Sequence, residues 1–196
     1  MSKHVRLFVV SGPSGVGKGT LVARVREQIP DLGLTVSATT RKPRVGEVDG
    51  VSYHFLSDDE FDSRVEAGEF LEWANVFGKR YGTLVSEVRR VLDGGSSVIL
   101  EIDVQGGLQV KEKLPEAVLI FIEPPSAEEL ERRLRTRATD SAETIERRLK
   151  EAAHELELGK RYDEHIVNDE LELAVEELAA TIERYETEIG DSSSCQ

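Results

Sequence analysis

Apolar positions in this chain follow two patterns. VRLFVV (Val5 to Val10), SVILEID (Ser97 to Asp103) and AVLIFIE (Ala117 to Glu123) are short unbroken runs, the pattern of strands buried on both faces. LGLTVSA (Leu32 to Ala38) and the brief HIVN (His165 to Asn168) predict two further strands. Helical spacing fills the gaps. A helix is expected from about Gly17 to Ile29, stopped by Pro30. Ser57 with Glu60 and Ser126 with Glu129 form capping boxes, and Asp140 with Glu143 is a weaker D-x-x-E version. At the end, Leu171, Ala174, Val175, Leu178, Ile182, Tyr185 and Ile189 share one helical face. Strands alternating with helices predict an α/β fold with a parallel sheet flanked by helices. Two stretches break the alternation: Thr39 to Gly82, polar and punctuated by glycine, and Arg132 to Arg148, dense in arginine and interrupted near Thr136 to Ser141.

Composition narrows the class. With 196 residues, 39% apolar and 32% charged, the chain suits one sizeable core. The formal charge is −13. From Glu151 onward there are fourteen acidic and three basic residues, so the remainder carries only about −2; such a balance argues against nucleic-acid binding. Cys195 is the single cysteine, which excludes a disulfide within the chain and a cysteine-pair metal site. No segment approaches the roughly 20 apolar residues that span a bilayer, and the N-terminal apolar run ends too soon, at Gly12-Pro13, for a signal peptide. A cytoplasmic protein is expected, with no membrane partner. The four histidines (His4, His54, His154, His165) are scattered and read as structural or solvated.

Chemistry enters at GPSGVGKG, Gly12 to Gly19. It has the G-x-x-x-x-G-K form directly after a strand and before a helix, so backbone N–H groups and the helix N-terminus can cradle phosphates while Lys18 reaches the outer ones. Gly12, Pro13, Ser14, Gly15, Val16, Gly17, Lys18, Gly19 and Thr20 are the expected set that binds a nucleoside triphosphate, ATP if the family likeness described below holds. Gly19 stands where a Ser or Thr usually holds Mg²⁺, so Thr20, or a water on the metal, is expected to take that contact. Asp103 is expected at the C-terminal end of its strand, beside the ligand. Arg41, Lys42 and Arg44, crowded into an acidic chain, ask for a second anion. The absence of an N-K-x-D motif argues against a GTPase, and a kinase needs such a second site.

GPSGVGKGTL, SATTRKPRVGEVDGVSYHF, EFLEWANVFGKRYGT, ILEIDVQG, RRLRTR and IVND run in order through Asp169. Together they resemble the guanylate kinase family, bacterial type, and the central blocks are far more specific than the phosphate loop. The resemblance implies a single P-loop nucleoside monophosphate kinase domain. Its core would be residues 1–36, 84–125 and 158–190, with an inserted GMP-binding lobe at 37–83, a helical lid at 126–157 and a disordered tail at 191–196. It implies transfer of the γ-phosphoryl group of ATP to GMP, with Mg²⁺ carried by ATP. Arg41, Arg44, Tyr53 and Tyr81 would hold the GMP phosphate. Ser37, Glu72 and Thr83 would read the guanine edge, with Asp103 on the same side. Arg133, Arg137 and Arg148 would join Lys18 in catalysis as lid arginines, and Asn168 would lie near the adenine.

The roles make chemical sense. Paired guanidinium forks suit a phosphate, and one carboxylate can accept from both guanine N1–H and the adjacent amino group, a pair adenine lacks. No general base is expected, because the GMP phosphate is already an anionic nucleophile. Arg132, Arg135 and Arg147 read as a solvated helix face. This chain has R-A-T (Arg137 to Thr139) where the family often has R-G-T, which stiffens the expected hinge. Two other readings compete: a non-catalytic guanylate kinase-like protein-binding module, and a kinase for another phosphorylated small molecule. Lys18 and the retained arginines speak against the first, and Glu72 with Ser37 against the second. Oligomeric state is not legible.

Overall fold

The computed structural model describes residues 4–76, 78–136 and 142–187. Arg137, the Asp140 cap, the R-A-T stretch, Ile189 and the tail with Cys195 lie outside the described residues.

The first strand shows why an unbroken apolar run was needed. In β1 (Leu7–Ser11) all five residues are buried, and alternate side chains enter opposite layers. Phe8 and Val10 join a cluster with Leu21, Val22 and Val25 of α1 (Lys18–Gln28) and with Ala174, Val175, Leu178 and Ile182 of the C-terminal helix. Leu7 and Val9 join the opposite cluster with Val88, Val104, Val110, Leu119 and Phe121. Each fully buried side chain of this size is worth about 1.5–3 kcal/mol, and both layers draw on the same strand.

The chain continues through β2 (Gly33–Leu34), β3 (Ala38–Thr39), β4 (His54–Phe55), α2 (Asp58–Glu66), β5 (Phe70–Val76), β6 (Lys79–Leu84) and α3 (Val85–Asp93). Then follow β7 (Val98–Glu101), α4 (Val104–Lys113), β8 (Val118–Glu123), α5 (Ala127–Thr136), α6 (Ala142–Gly159), β9 (Glu164–Val167) and α7 (Leu171–Thr187). The main sheet has the order β2-β7-β1-β8-β9, every pairing parallel. Strands β7 and β8 flank β1 on opposite sides, so their C-terminal ends frame a crevice at a switch point, where ligands of such sheets bind. The second sheet, β4-β3-β6-β5, is mixed: β3 runs parallel to β4, and its other pairings are antiparallel. Its own small cluster holds Ala38, Phe61, Phe70 and Leu84.

The Ser57–Glu60 capping box forms in full at α2. At α5 the Glu129 N–H donates to Ser126 Oγ at 3.1 Å. Two expectations are corrected. LGLTVSA is not one strand: Gly33–Leu34 pair with β7 in the main sheet, whereas Ala38–Thr39 pair with β4 and β6. The chain changes sheets between them, and a pattern of apolar residues does not say which neighbour supplies the hydrogen bonds. The strand of SVILEID ends at Glu101, so Asp103 lies two residues beyond it, where its carboxylate caps α4.

Candidate active site

The phosphate loop connects β1 to α1, and its glycines answer to close neighbours. A Cβ on Gly12 would run into the Ile122 carbonyl oxygen. Gly17 has φ +101° as the N-cap of α1, and a Cβ there would lie 2.7 Å from Asn168 Nδ2. Other elements hold the loop. The Asn168 amide donates to the Val16 carbonyl at 2.7 Å, and Arg133 Nη1 reaches the same oxygen at 3.4 Å. Lys18 folds back over the loop, donating to the Gly12 carbonyl at 2.5 Å and the Pro13 carbonyl at 3.2 Å. Pro13 and Val16 are buried, Ser14 and Gly15 half-buried, and Gly19 and Thr20 exposed on the first turn of α1.

Glu101 stands where the sequence suggested Asp103. A Cβ on Gly19 would lie 3.4 Å from Glu101 Oε1 and 3.5 Å from Oε2. A hydroxyl-bearing side chain at position 19 would meet that carboxylate; glycine leaves the space open. Glu155 of α6 also reaches the loop. Its carboxylate accepts from the Ser14 N–H and feels Lys18, while burial raises its pKa against both. Arg148 lies on α6 two helical turns before Glu155, hence on the same face. Among the described residues no group of three His, Cys, Asp or Glu could hold a metal. A threonine hydroxyl, a carboxylate and water are nevertheless the hard oxygen ligands suited to a magnesium ion that arrives on a phosphate chain.

Across the crevice, Ser37, Tyr53, Glu72, Tyr81 and Asp103 line a cavity of about 260 Å³ together with Glu101. Thr83 lines an adjoining one of about 210 Å³, shared with Ser37 and Tyr53. Glu72 is only 3% exposed, and the Thr83 hydroxyl donates to its Oε1 at 2.7 Å. Burial pushes its pKa from 4.5 up to about 6, with the Thr83 bond opposing and the Asp103 charge adding to the rise. This carboxylate is costly to keep charged and has capacity left to accept hydrogen bonds.

Arg41 makes a paired bridge to Glu47, Nη1 to Oε2 at 2.9 Å and Nη2 to Oε1 at 2.8 Å. The guanidinium also bonds Tyr81, and its centre lies 5.3 Å from the Tyr53 ring centroid. The Tyr53 and Tyr81 rings meet edge to face at 6.1 Å. Glu47 further accepts the Arg44 N–H at 2.7 Å, and Arg41 holds its carboxyl below the usual range. The Arg44 side chain is exposed.

The crevice therefore brings together the loop, Lys18, Asn168 and Arg133 on one wall and Ser37, Arg41, Tyr53, Glu72, Tyr81, Thr83 and Asp103 on the other. Arg132, Arg135 and Arg147 are exposed and bridge to Glu129, Glu131 and Glu151 of their own helices, as a solvated face would. Sequence reasoning missed Glu47, Glu101 and Glu155. Glu101 left a signal, an acid at the end of a buried run. Asn168 carries more than was expected of it, because its amide braces the phosphate loop.

A sequence model of the guanylate kinase family matches residues 4–185. The chain is 53% identical over 177 residues to "Guanylate kinase" from Fusobacterium nucleatum, covering 90% of this chain and 95% of that one. It is 55% identical over 171 residues to "Guanylate kinase" from Gloeobacter violaceus, covering 87% and 83%. Among solved structures, the crystal structure of guanylate kinase from Anaplasma phagocytophilum matches with a TM-score of 0.73 and 32% identity, over 96% of this chain and 89% of that one.

Proposed function

The chain belongs to the guanylate kinase family and transfers the γ-phosphoryl group of ATP to GMP, and from that premise we propose which of its residues carry the reaction. The observation that bears most weight is Glu72: a nearly fully buried carboxylate, bonded to Thr83, on the wall of a cavity lined also by Tyr53 and Tyr81. Guanine N1–H and the amino group donate to Glu72, with Ser37 and Thr83 completing the edge. Adenine would leave the acid buried without donors. The phosphate sits against Arg41, Arg44, Tyr53 and Tyr81, and Arg41 exchanges Glu47 for phosphate oxygens. Asp103 holds α4 in place through its cap and adds a polar wall.

On the donor side, the N–H groups of residues 12–20 other than Pro13 receive the phosphates of Mg·ATP, and the Ser14 N–H passes from Glu155 to a phosphate oxygen. Lys18 leaves the loop carbonyls for the transferring group. Thr20 and Glu101 would hold the magnesium carried by ATP, since a hydroxyl and a carboxylate are the oxygen groups that suit such an ion or its waters. Asn168 keeps the Val16 peptide fixed beneath the nucleotide.

Transfer is a displacement at phosphorus. An oxygen of the GMP phosphate forms a bond to the γ-phosphorus as the bond to the β,γ-bridging oxygen breaks, leaving ADP and GDP. No proton need be removed, so the protein supplies alignment and positive charge. Lys18 and Arg133 are at hand, Arg148 shares the inward face of α6 with Glu155, and Arg137 completes the set as a lid arginine. Residues 126–157 would move as that lid, with 37–83 as the acceptor lobe and the remainder as core. No helix among the described residues is long and apolar enough to cross a membrane. A reducing, nucleotide-rich cytoplasm suits both substrates.

The test is ADP release by the purified chain with Mg·ATP and GMP, AMP, UMP or CMP. Turnover is expected with GMP alone. Equal turnover with AMP would refute the role given to Glu72. Nucleotide binding by folded protein with no turnover on any acceptor would refute the catalytic reading in favour of a binding module.

A further inference from the structure

A cavity of about 540 Å³ lies at the other end of the sheet from the reaction, lined by Leu7, Leu71, Val85, Val88 and Leu92 and rimmed by charged side chains. It touches the first residues of β1 and the last of α4, whereas the phosphate loop follows β1 and Asp103 precedes α4. The ten residues of α4 put the two sites about 15 Å apart. None of the residues lining it lines the acceptor cavities.

Two observations point to a ligand. The volume falls within the usual 300–1,000 Å³ or so of small-molecule sites, and the walls are aliphatic and aromatic. The charged residues around it are Arg6, Arg89, Lys113 and Glu116, a local excess of positive charge on a chain whose net charge is −13. An aliphatic wall with a cationic rim suits a molecule with an apolar body and one anionic head.

We propose that this cavity is a second ligand site for a small amphipathic monoanion, an alkyl or aryl carboxylate or its equivalent, and that its occupancy changes GMP binding. The route is short. Phe70 and Leu71 line the cavity and lead directly into Glu72 along β5, at a point where pairing with β6 shifts register between Phe70 and Glu72. Val85 opens α3 two residues after Thr83. Lys113 closes the helix that Asp103 caps, and its ammonium holds the Phe70 carbonyl at 3.0 Å. The cavity also lies at a seam, since Leu7, Leu71 and Val88 pack in the main core and Phe70 in the core of the second sheet. A ligand wedged there sets the spacing of the elements that carry Glu72, Thr83 and Asp103.

The experiment titrates the full chain with 8-anilinonaphthalene-1-sulfonate, the active site held by GMP and a non-transferable ATP analogue. Fluorescence should saturate at one equivalent and be reversed by decanoate but not by decanol. Arg6→Gln with Arg89→Glu should weaken the dye by about tenfold or more, as for the loss of a charge-assisted hydrogen bond. Val85→Trp, which fills the cavity, should abolish binding and leave kcat intact; if it does not fold, the charge variants decide alone. In turnover without the dye, decanoate should shift KM for GMP by about fivefold or more while KM for ATP stays put. Dye binding that is absent, indifferent to the variants, or displaced equally by decanol overturns the site. Binding with KM for GMP unmoved overturns the coupling. The KM readout rests on the acceptor reading above and the dye titration does not, so the two failures are distinguishable.

Discussion

Glu72→Gln should make the protein more stable and a worse enzyme. The Glu72 side chain is 3% exposed, and burial lifts its pKa from 4.5 to about 6. At about 1.4 kcal/mol per pH unit, the ionised form costs the fold about 2 kcal/mol. The sign follows from linkage. A carboxyl whose pKa is higher folded than unfolded burdens the fold where both states are ionised, above about pH 6. The burden lifts as pH falls through 6 and is gone below 4.5. Glutamine has nearly the same shape and still accepts from Thr83, but its amide needs a new acceptor, so the net gain at pH 7.5 should be about 1–2 kcal/mol. That is a rise in Tm of about 2–8 °C for a chain of this length, shrinking to nothing near pH 4.5. For catalysis, the amide can accept at only one atom, and its NH₂ faces the guanine donors. Two charge-assisted bonds of about 1.5–3 kcal/mol each are lost or inverted. The kcat/KM for GMP should fall by at least about a hundredfold with KM for ATP unchanged. Thermal melts from pH 4.5 to 8 and steady-state kinetics with each substrate varied decide the matter. A variant less stable than the parent at pH 7.5, or a stability difference independent of pH, refutes the burial cost. Equal losses for GMP and ATP refute the base-reading role.

Arg41→Ala should lower kcat/KM for GMP by about 10²–10³, the worth of a bidentate phosphate contact, while dissociation of Mg·ATP, read by calorimetry, stays constant. Glu101→Gln should raise the magnesium concentration giving half-maximal rate, with KM for GMP unaffected when measured at saturating metal; Asp103→Asn should do this far less. Asn168→Ala removes the shorter of the two bonds to the Val16 carbonyl, leaving that from Arg133 at 3.4 Å, and should cost about 0.5–1.5 kcal/mol in denaturant unfolding, with KM for ATP rising as the loop loosens.

What could be read from the residues in order was whatever contiguous residues build. The phosphate loop is one such piece. A strand, a glycine turn and a helix start suffice to aim a row of N–H groups, so Gly12 to Thr20 stood out before any contact was known. The buried strands were legible because a sheet covered on both faces demands apolar residues at every position, and β1 supplies both cores. Arg41, Arg44 and Glu72 were legible through family likeness, since a charge cluster alone does not name its anion. What only the tertiary structure decided is pairing across the chain. LGLTVSA is divided between two sheets because hydrogen-bond partners, not apolar spacing, assign a strand. Glu47 on Arg41, Glu101 over Gly19 and Glu155 at Ser14 are carboxylates indistinguishable in sequence from thirty-five others on the chain. Backbone conformation depends on neighbours a few residues away. A carboxylate's partner depends on which strands and helices pack together, and packing is settled only when the whole core closes.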